Sequence, residues 1–215
     1  MHKGLTEKID SIIDNVAVME SIKPYILCGG TALAIQIGHR KSEDLDFMMW
    51  RRSKSEKPEV DRVAIEKELR EKVGDIEMLN MLGFDQVEYV VKGVKFSFFV
   101  SDSYCPVQNP IHYKGNIFLA DINSILAMKI EVMLRRMKFR DYYDVYSILK
   151  EGHDISSGIE LALKYSQHKL NTKNIVMMLL SDRFTSDINF DQLEPKYNVS
   201  KSEIRNYILQ KLKVG

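Results

Sequence analysis

The stretch "CGGTALAIQIGHRKSEDLDFMMW", Cys28 to Trp50, restricts the fold more than any other part of the chain. Tyr25 to Cys28 reads as a short buried strand and Gly29-Gly30 as a turn. Ala32 to Ile37 reads as a helix that Thr31 would cap and Gly38 would end. A polar loop, His39 to Glu43, leads into a second strand over Asp44 to Trp50. Residues two apart on a strand share a face. Asp44 and Asp46 would therefore project together, while Leu45 and Phe47 turn to the opposite side and join a core. Strand, helix and strand in such close succession call for a sheet with a helix packed on it.

The rest of the chain divides into two halves. Leu5, Ile9, Ile12, Ile13 and Val16 recur at helical spacing and predict an N-terminal helix over 5–20. Pro58 is placed to open a helix running to about Val73. Gln86 to Val91 and Val94 to Val100 form a hairpin around Lys92-Gly93. Ser101 to Gly115, with Pro106 and Pro110, reads as a loop. From Asp121 the pattern turns helical: Ile122, Ile125, Leu126 and Ile130 form one run, and Tyr143, Tyr146, Ser147 and Leu149 the next. Further helices are expected near 156–167, 171–181 and 199–213. The expected architecture is α+β, with a mixed sheet and flanking helices over 1–120 and a helical domain over 121–215.

Composition excludes several classes of function. A chain of 215 residues, 45% of them hydrophobic, can bury a sizeable core. Its net charge of +1 confines any affinity for nucleic acid to local patches. Cys28 and Cys105 are too few for a disulfide framework or a thiolate zinc site. No apolar run reaches membrane-spanning length, and the N-terminus carries acids within an amphipathic pattern, unlike a signal peptide. A cytoplasmic, bacterial-type protein with no membrane partner is expected.

Two neighbouring carboxylates repel each other unless a cation or a hydrogen-bond donor neutralises them. Mg²⁺, which takes one or two carboxylates together with phosphate oxygens, is an efficient neutraliser. The plain alternative for a bare D-x-D is a polar strand edge carrying two solvated acids. Gly29-Gly30 would let the backbone approach a ligand, and the helix start that follows offers N–H groups to a phosphate. The alternative there is a tight turn. Together the two features place a phosphate cradle and a metal site a few residues apart, and the conjunction is far more specific than either part.

The run "GGTALAIQIGHRKSEDLDF" closely resembles the motif of the AbiEii/AbiGii-type toxin family of nucleotidyltransferases, within the DNA polymerase β-like superfamily. G-G-T-A-L, G-x-R and S-x-D-x-D follow in the family's order and spacing. A second match, "LADINSILAMKIEVMLRRMKFRDYYDVYSIL" (Leu119 to Leu149), is similar to the family's helix pair with a lysine, an arginine and R-D-x-x-D. The resemblance implies an Mg²⁺-dependent enzyme, with Mn²⁺ as a substitute metal. Such an enzyme moves an NMP from an NTP to a hydroxyl of RNA (tRNA) or protein. It would be the toxin of a type IV toxin–antitoxin or abortive-infection system, with a cognate antitoxin. The other expectation is a protein of the same fold that binds nucleotide, RNA or antitoxin with weak or lost transfer.

Residue by residue, the resemblance implies that Gly29, Gly30, Thr31, Arg40 and Ser42 meet the nucleotide and that Asp44 and Asp46 hold the metal. Lys129 and Asp141 would be catalytic with them, supplied by a helical domain over 121–215 that completes the active-site cleft of the nucleotidyltransferase-like domain over 1–120. Lys129 would neutralise phosphate; Asp141 would orient that lysine or an acceptor hydroxyl, or act as base. Asp144 lies one helical turn beyond Asp141 on the same face. Apart from the family, Arg140, Asp141 and Asp144 would simply cap and salt-bridge a helix start. His39 reads as structural.

One departure stands out. Many superfamily members carry a third carboxylate on a later central strand, yet Gly93 to Val100 holds no acid and Ser97 stands at the expected position. Asp75, Glu88 and Asp102 are substitutes with no motif behind them. Two basic clusters, Arg51, Arg52, Lys54 and Lys57, then Arg135, Arg136, Lys138 and Arg140, would attract a polyanion if both rim one cleft; otherwise they are solvated surface. Tyr142, Tyr143 and Tyr146 are either stacking surfaces or packing residues, and Met128, Met133 and Met137 read as core.

Overall fold

Acid and apolar side chains alternate over Asp44 to Phe47, the first half of β2 (Asp44–Trp50), which lies in the middle of a seven-stranded mixed sheet. The computed structural model describes residues 2–51, 56, 59–101, 106–165 and 170–214. The other strands are β1 (Ile26–Cys28), β3 (Ile76–Met81), β4 (Gln86–Val91), β5 (Val94–Ser101), β6 (Ile111–Lys114) and β7 (Ile117–Leu119). Their order is β3-β4-β5-β2-β1-β7-β6. β2 runs antiparallel to β1 and parallel to β5, and β7 lies parallel to β1. This sheet and its helices form one unit, made of Met1–Gln36, Lys41–Asp102 and Asn109–Ala120.

One face of the sheet is the core. Leu45 and Phe47 of β2, Phe96 and Phe98 of β5, and Val87 and Tyr89 of β4 are all buried there. Phe98 stacks on Phe47 and meets Tyr25 and Tyr89 edge to face. The helices are α1 (Glu7–Asp10), α2 (Ile13–Ala17), α3 (Gly29–Ile37) and α4 (Arg62–Glu68), the last continued by a π-helical turn over Leu69–Val73. They contribute the buried Ile9, Ile13, Val16, Ile65 and Leu69. Asp61 caps α4 through Ala64 N. Lys92 and Gly93, both at positive φ, close the β4–β5 hairpin as the sequence leads one to expect.

The second unit is helical and consists of Ile37–Arg40, Ser103–Gln108 and Asp121–Gly215. Its helices are α5 (Ile122–Arg135), α6 (Phe139–Lys150), α7 (Ile155–Tyr165), α8 (Thr172–Leu179) and α9 (Lys201–Val214). Asp121 caps α5 by accepting from Ser124 N. Gly158 of α7 sits where a Cβ would come 2.5 Å from Leu126, so its missing side chain permits the close approach to α5. Tyr142 and Tyr143 are fully buried and Tyr146 nearly so, which makes them packing residues. Met128 and Met133 are buried as expected, and Met137 is half-buried.

Several local expectations need correction. The helix over 5–20 is broken into α1 and α2, because Ile12 N bonds Ile9 O in a tightened turn that lets Ile12 and Ile13 both reach the core. The helix after β1 begins at Gly29, so Thr31 lies inside α3 and is not its cap. The expected loop over 101–115 contains β6, joined to β7 through Gly115 at φ +51° and Asn116. β3 is an additional strand whose side chains are mostly exposed. Pro58, Arg52, Lys54, Lys57, Asp102 and Cys105 lie outside the described residues. Among the described residues, no helix is long and apolar enough to cross a membrane.

Candidate active site

On the face of the sheet opposite its core, Asp44 and Asp46 stand side by side on β2, both half-buried, with Leu45 between them turned inward. The register sets their neighbours. Asp44 pairs with Lys95 and Asp46 with Ser97 on β5, while Cys28 of β1 lies across from Asp46 on the other side. The Lys95 ammonium is 3.4 Å from Asp44 Oδ2. Gly29, at φ +67°, opens α3 immediately after Cys28, and a Cβ there would lie 2.8 Å from Asp46 Oδ2. The left-handed backbone calls for glycine at 29, and any larger residue there would also make the Asp46 carboxylate shift. As the first residues of α3, Gly29, Gly30 and Thr31 have backbone N–H groups with no partner inside the helix.

Thr31 and Ser42 act one step back. Both are buried; their hydroxyls lie 2.8 Å apart, and Thr31 Oγ1 also donates to the carbonyl of Asp44. Ser42 N donates to Gly4 O. The Thr31 bonds tie α3 to the start of β2, and the Ser42 N bond ties the residues before β2 to the N-terminal segment. Ser97 fills the place across from Asp46, and Glu88 is next in the same cross-strand row. The Glu88 carboxylate, however, is 3.5 Å from Asn80 Nδ2. Asp75 is exposed. Among the described residues, no cluster of three or more His, Cys, Asp and Glu side chains could hold a metal ion. The pair on β2 alone still fits Mg²⁺: the donors are all carboxylate oxygen, and Gly29 leaves open the space beside Asp46 Oδ2 that a Cβ would fill.

In the helical unit the second matched run, Leu119 to Leu149, contributes to a buried ionic network. Lys129 of α5 reaches Asp141 Oδ1 at 2.8 Å and Asp144 Oδ2 at 2.6 Å, both on α6. Arg40 grips Asp144 with two hydrogen bonds, from Nε at 2.8 Å and from Nη2 at 3.0 Å. His39 Nε2 is 2.7 Å from Asp144 Oδ1, and Arg136 Nε donates to Asp141 Oδ2 at 3.1 Å. Burial alone would raise the Asp144 carboxyl, but Arg40 and Lys129 outweigh it and hold it well below the usual carboxylate range. Asp141 is lowered in the same way, by Lys129 and Arg136 against its burial. Lys129 is raised, since the two aspartates outweigh its own desolvation. His39 is lowered, because there desolvation outweighs Asp144. At neutral pH His39 is therefore uncharged, with its proton on Nε2 toward Asp144, and its buried Nδ1 has no hydrogen-bond partner among the described residues.

The two groups of sequence-expected residues thus fall into different units. Gly29, Gly30, Thr31, Ser42, Asp44 and Asp46 come together around the start of β2. Arg40 joins Lys129 and Asp141 instead, and it brings with it His39 and Asp144. The second basic cluster is largely offset: Arg135 pairs with Glu131, Arg136 with Asp141 and Arg140 with Asp187. Sequence reasoning did not single out Lys95. The available signal was its spacing two residues before Ser97 on one face of β5.

Comparison with known proteins identifies the family. Residues 19–178 match the model of the family described as the nucleotidyl transferase AbiEii toxin of the type IV toxin–antitoxin system. An uncharacterized protein of Aquifex aeolicus, aq_aa25, is 28% identical over 205 residues, covering 94% of this chain and 92% of its own. The fold is similar to that of JHP933 from Helicobacter pylori, with a TM-score of 0.55 at 16% identity over 98% of this chain and 92% of that one. It is also similar to that of MenT4, a nucleotidyltransferase toxin of Mycobacterium tuberculosis, with a TM-score of 0.56 at 16% identity over 92% and 80% of the two chains. With both motifs inside the matched span and the mixed sheet in place, the chain belongs to the AbiEii nucleotidyl transferase toxin family and is a nucleotidyltransferase.

Proposed function

We propose that this nucleotidyltransferase moves an NMP from an NTP to a hydroxyl of RNA, tRNA in particular, or of protein, as the toxin partnered by a cognate antitoxin. The observation that carries this reading is the juxtaposition of Asp44 and Asp46 on β2 with the glycine that opens α3. Asp44 and Asp46 would hold Mg²⁺, which when bound offsets charge on the triphosphate and on the departing pyrophosphate. The backbone N–H groups of Gly29 and Gly30 take phosphate oxygens at the helix start. Thr31 and Ser42 position β2 through their buried hydroxyls rather than by touching substrate. The acceptor oxygen forms a bond to the α-phosphorus, pyrophosphate leaves with the electrons of the broken P–O bond, and the hydroxyl proton is lost to water.

Asp141 is suited to hold the Lys129 ammonium and poorly suited to take a proton near neutral pH, because its carboxyl is already held below the usual range. The pair therefore positions charge instead of relaying protons. The test is incubation with each α-labelled NTP in the presence of total tRNA or total protein, comparing wild type with Asp44→Ala and Asp46→Ala. Label transfer with pyrophosphate release in wild type, lost in both variants, is the expected outcome. Transfer that persists in the purified variants would remove the metal assignment. Magnesium-dependent NTP binding with no transfer to either acceptor would favour a nucleotide-binding role over transfer to RNA or protein.

A further inference from the structure

Lys95 occupies a place that the metal reading does not explain. In the parallel register of β2 and β5 it lies directly across from Asp44, and its ammonium is 3.4 Å from Asp44 Oδ2. Its neighbour on the other side is Val90 of β4, so Asp44 is the acid that the register gives it. Both partners remain open to water, with side chains 39% and 36% exposed. At that separation the contact is an ion pair without a tight hydrogen bond, and exposed pairs of this kind are easily exchanged. A lysine has a flexible four-carbon stem that lets its ammonium change partners while the backbone stays fixed.

The position has opposite consequences for the two ligands of the site. Toward a bare divalent cation at Asp44 the ammonium is a like charge. Toward a triphosphate it is a counter-ion. We propose that Lys95 is a cationic placeholder, neutralising Asp44 while the site is empty and turning onto the phosphate oxygens when a metal–triphosphate complex enters. The site then discriminates against metal alone and in favour of metal brought with its nucleotide. This role rests on the assignment of Asp44 and Asp46 as metal ligands, and it makes Lys95 a specificity-determining residue for the triphosphate.

The test uses the full chain and the variant Lys95→Met, which keeps the length of the stem and removes the charge. Mn²⁺ binding to protein alone is measured by electron paramagnetic resonance, and binding of inorganic tripolyphosphate in the presence of Mn²⁺ by calorimetry. The expected result is a crossed pair of shifts: Mn²⁺ alone binds about three- to tenfold tighter, and tripolyphosphate about three- to tenfold weaker, as a unit charge near 4 Å in a wet site gives. Lys95→Arg, which retains the charge, should stay near wild type in both. If both affinities are unchanged or move together, while Asp44→Ala still abolishes Mn²⁺ binding, the placeholder is overturned and the metal site stands. If Asp44→Ala leaves Mn²⁺ binding intact, the metal site falls and the placeholder with it.

Discussion

On β2, Asp44 and Asp46 are half-buried, with the Lys95 ammonium 3.4 Å from Asp44 and Gly29 beside Asp46. In the helical unit, Asp141 and Asp144 are fully buried and ringed by Lys129, Arg40, Arg136 and His39. Both sets pair carboxylates with cations, but the balance differs. A buried carboxylate survives only if its neighbours return what desolvation takes away, so Asp144 is held by fixed, short contacts on every oxygen. A carboxylate at a wet surface needs no such ring and can accept a new cation. The difference separates a pair whose counter-ion can be exchanged from a network whose ions are locked in place.

Breaking the buried network should have the largest effect. Asp144→Asn leaves Arg40 and Lys129 buried without their shared anion, and about 3–5 kcal/mol of stability should be lost, read by urea unfolding. A loss below about 1 kcal/mol, the range of exposed pairs, would erase the contrast. Gly29→Ala sharpens the other side. A non-glycine residue at φ +67° costs about 1–2 kcal/mol, and the added Cβ would also displace Asp46 Oδ2. Mn²⁺ affinity should therefore fall more than the stability loss alone explains; unchanged Mn²⁺ binding would separate Asp46 from the metal.

The pH dependence gives the smallest effect near neutrality. His39 has its folded pKa below its ordinary value of 6.5, so the unfolded chain binds the extra proton first. The stability from keeping His39 neutral is whole above about pH 6.5 and declines as pH falls, by at most about 1.4 kcal/mol per pH unit. His39→Gln, which can still donate to Asp144, should flatten that slope in thermal melts. Asp141 and Asp144 are also lowered, so their contribution is present above 3.8 and is lost only as pH falls further, through their folded values. A slope that survives His39→Gln would move the effect to another group.

Much of this contrast was legible in the sequence, and its limits are physical. Period-two alternation disclosed the shared face of Asp44 and Asp46, because Leu45 and Phe47 have to be buried. The Lys92-Gly93 turn disclosed its hairpin, because both residues adopt positive φ. β3 escaped because its side chains are exposed on both faces, which removes the alternation that marks a strand. β6 was hidden by a loop-like composition, though Gly115-Asn116 was a turn signal beside it. The partners of Asp144 were the hardest to foresee. His39 and Arg40 lie more than a hundred positions away, and no local pattern reports a contact of that range. Lys95 was missed for a related reason: only the parallel register brings it opposite Asp44.

The most direct test of the central claim is a paired measurement on Asp46→Asn and Asp144→Asn, following thermal unfolding and label transfer from NTP in the same preparations. Asp46→Asn, a near-isosteric change at a half-buried position, should melt within a few degrees of wild type, while transfer falls by roughly 10²–10³. Asp144→Asn should instead lose stability first, with transfer falling in proportion to the folded fraction. If Asp46→Asn keeps wild-type transfer, or if Asp144→Asn keeps wild-type stability, the division between a binding face and a holding network is wrong.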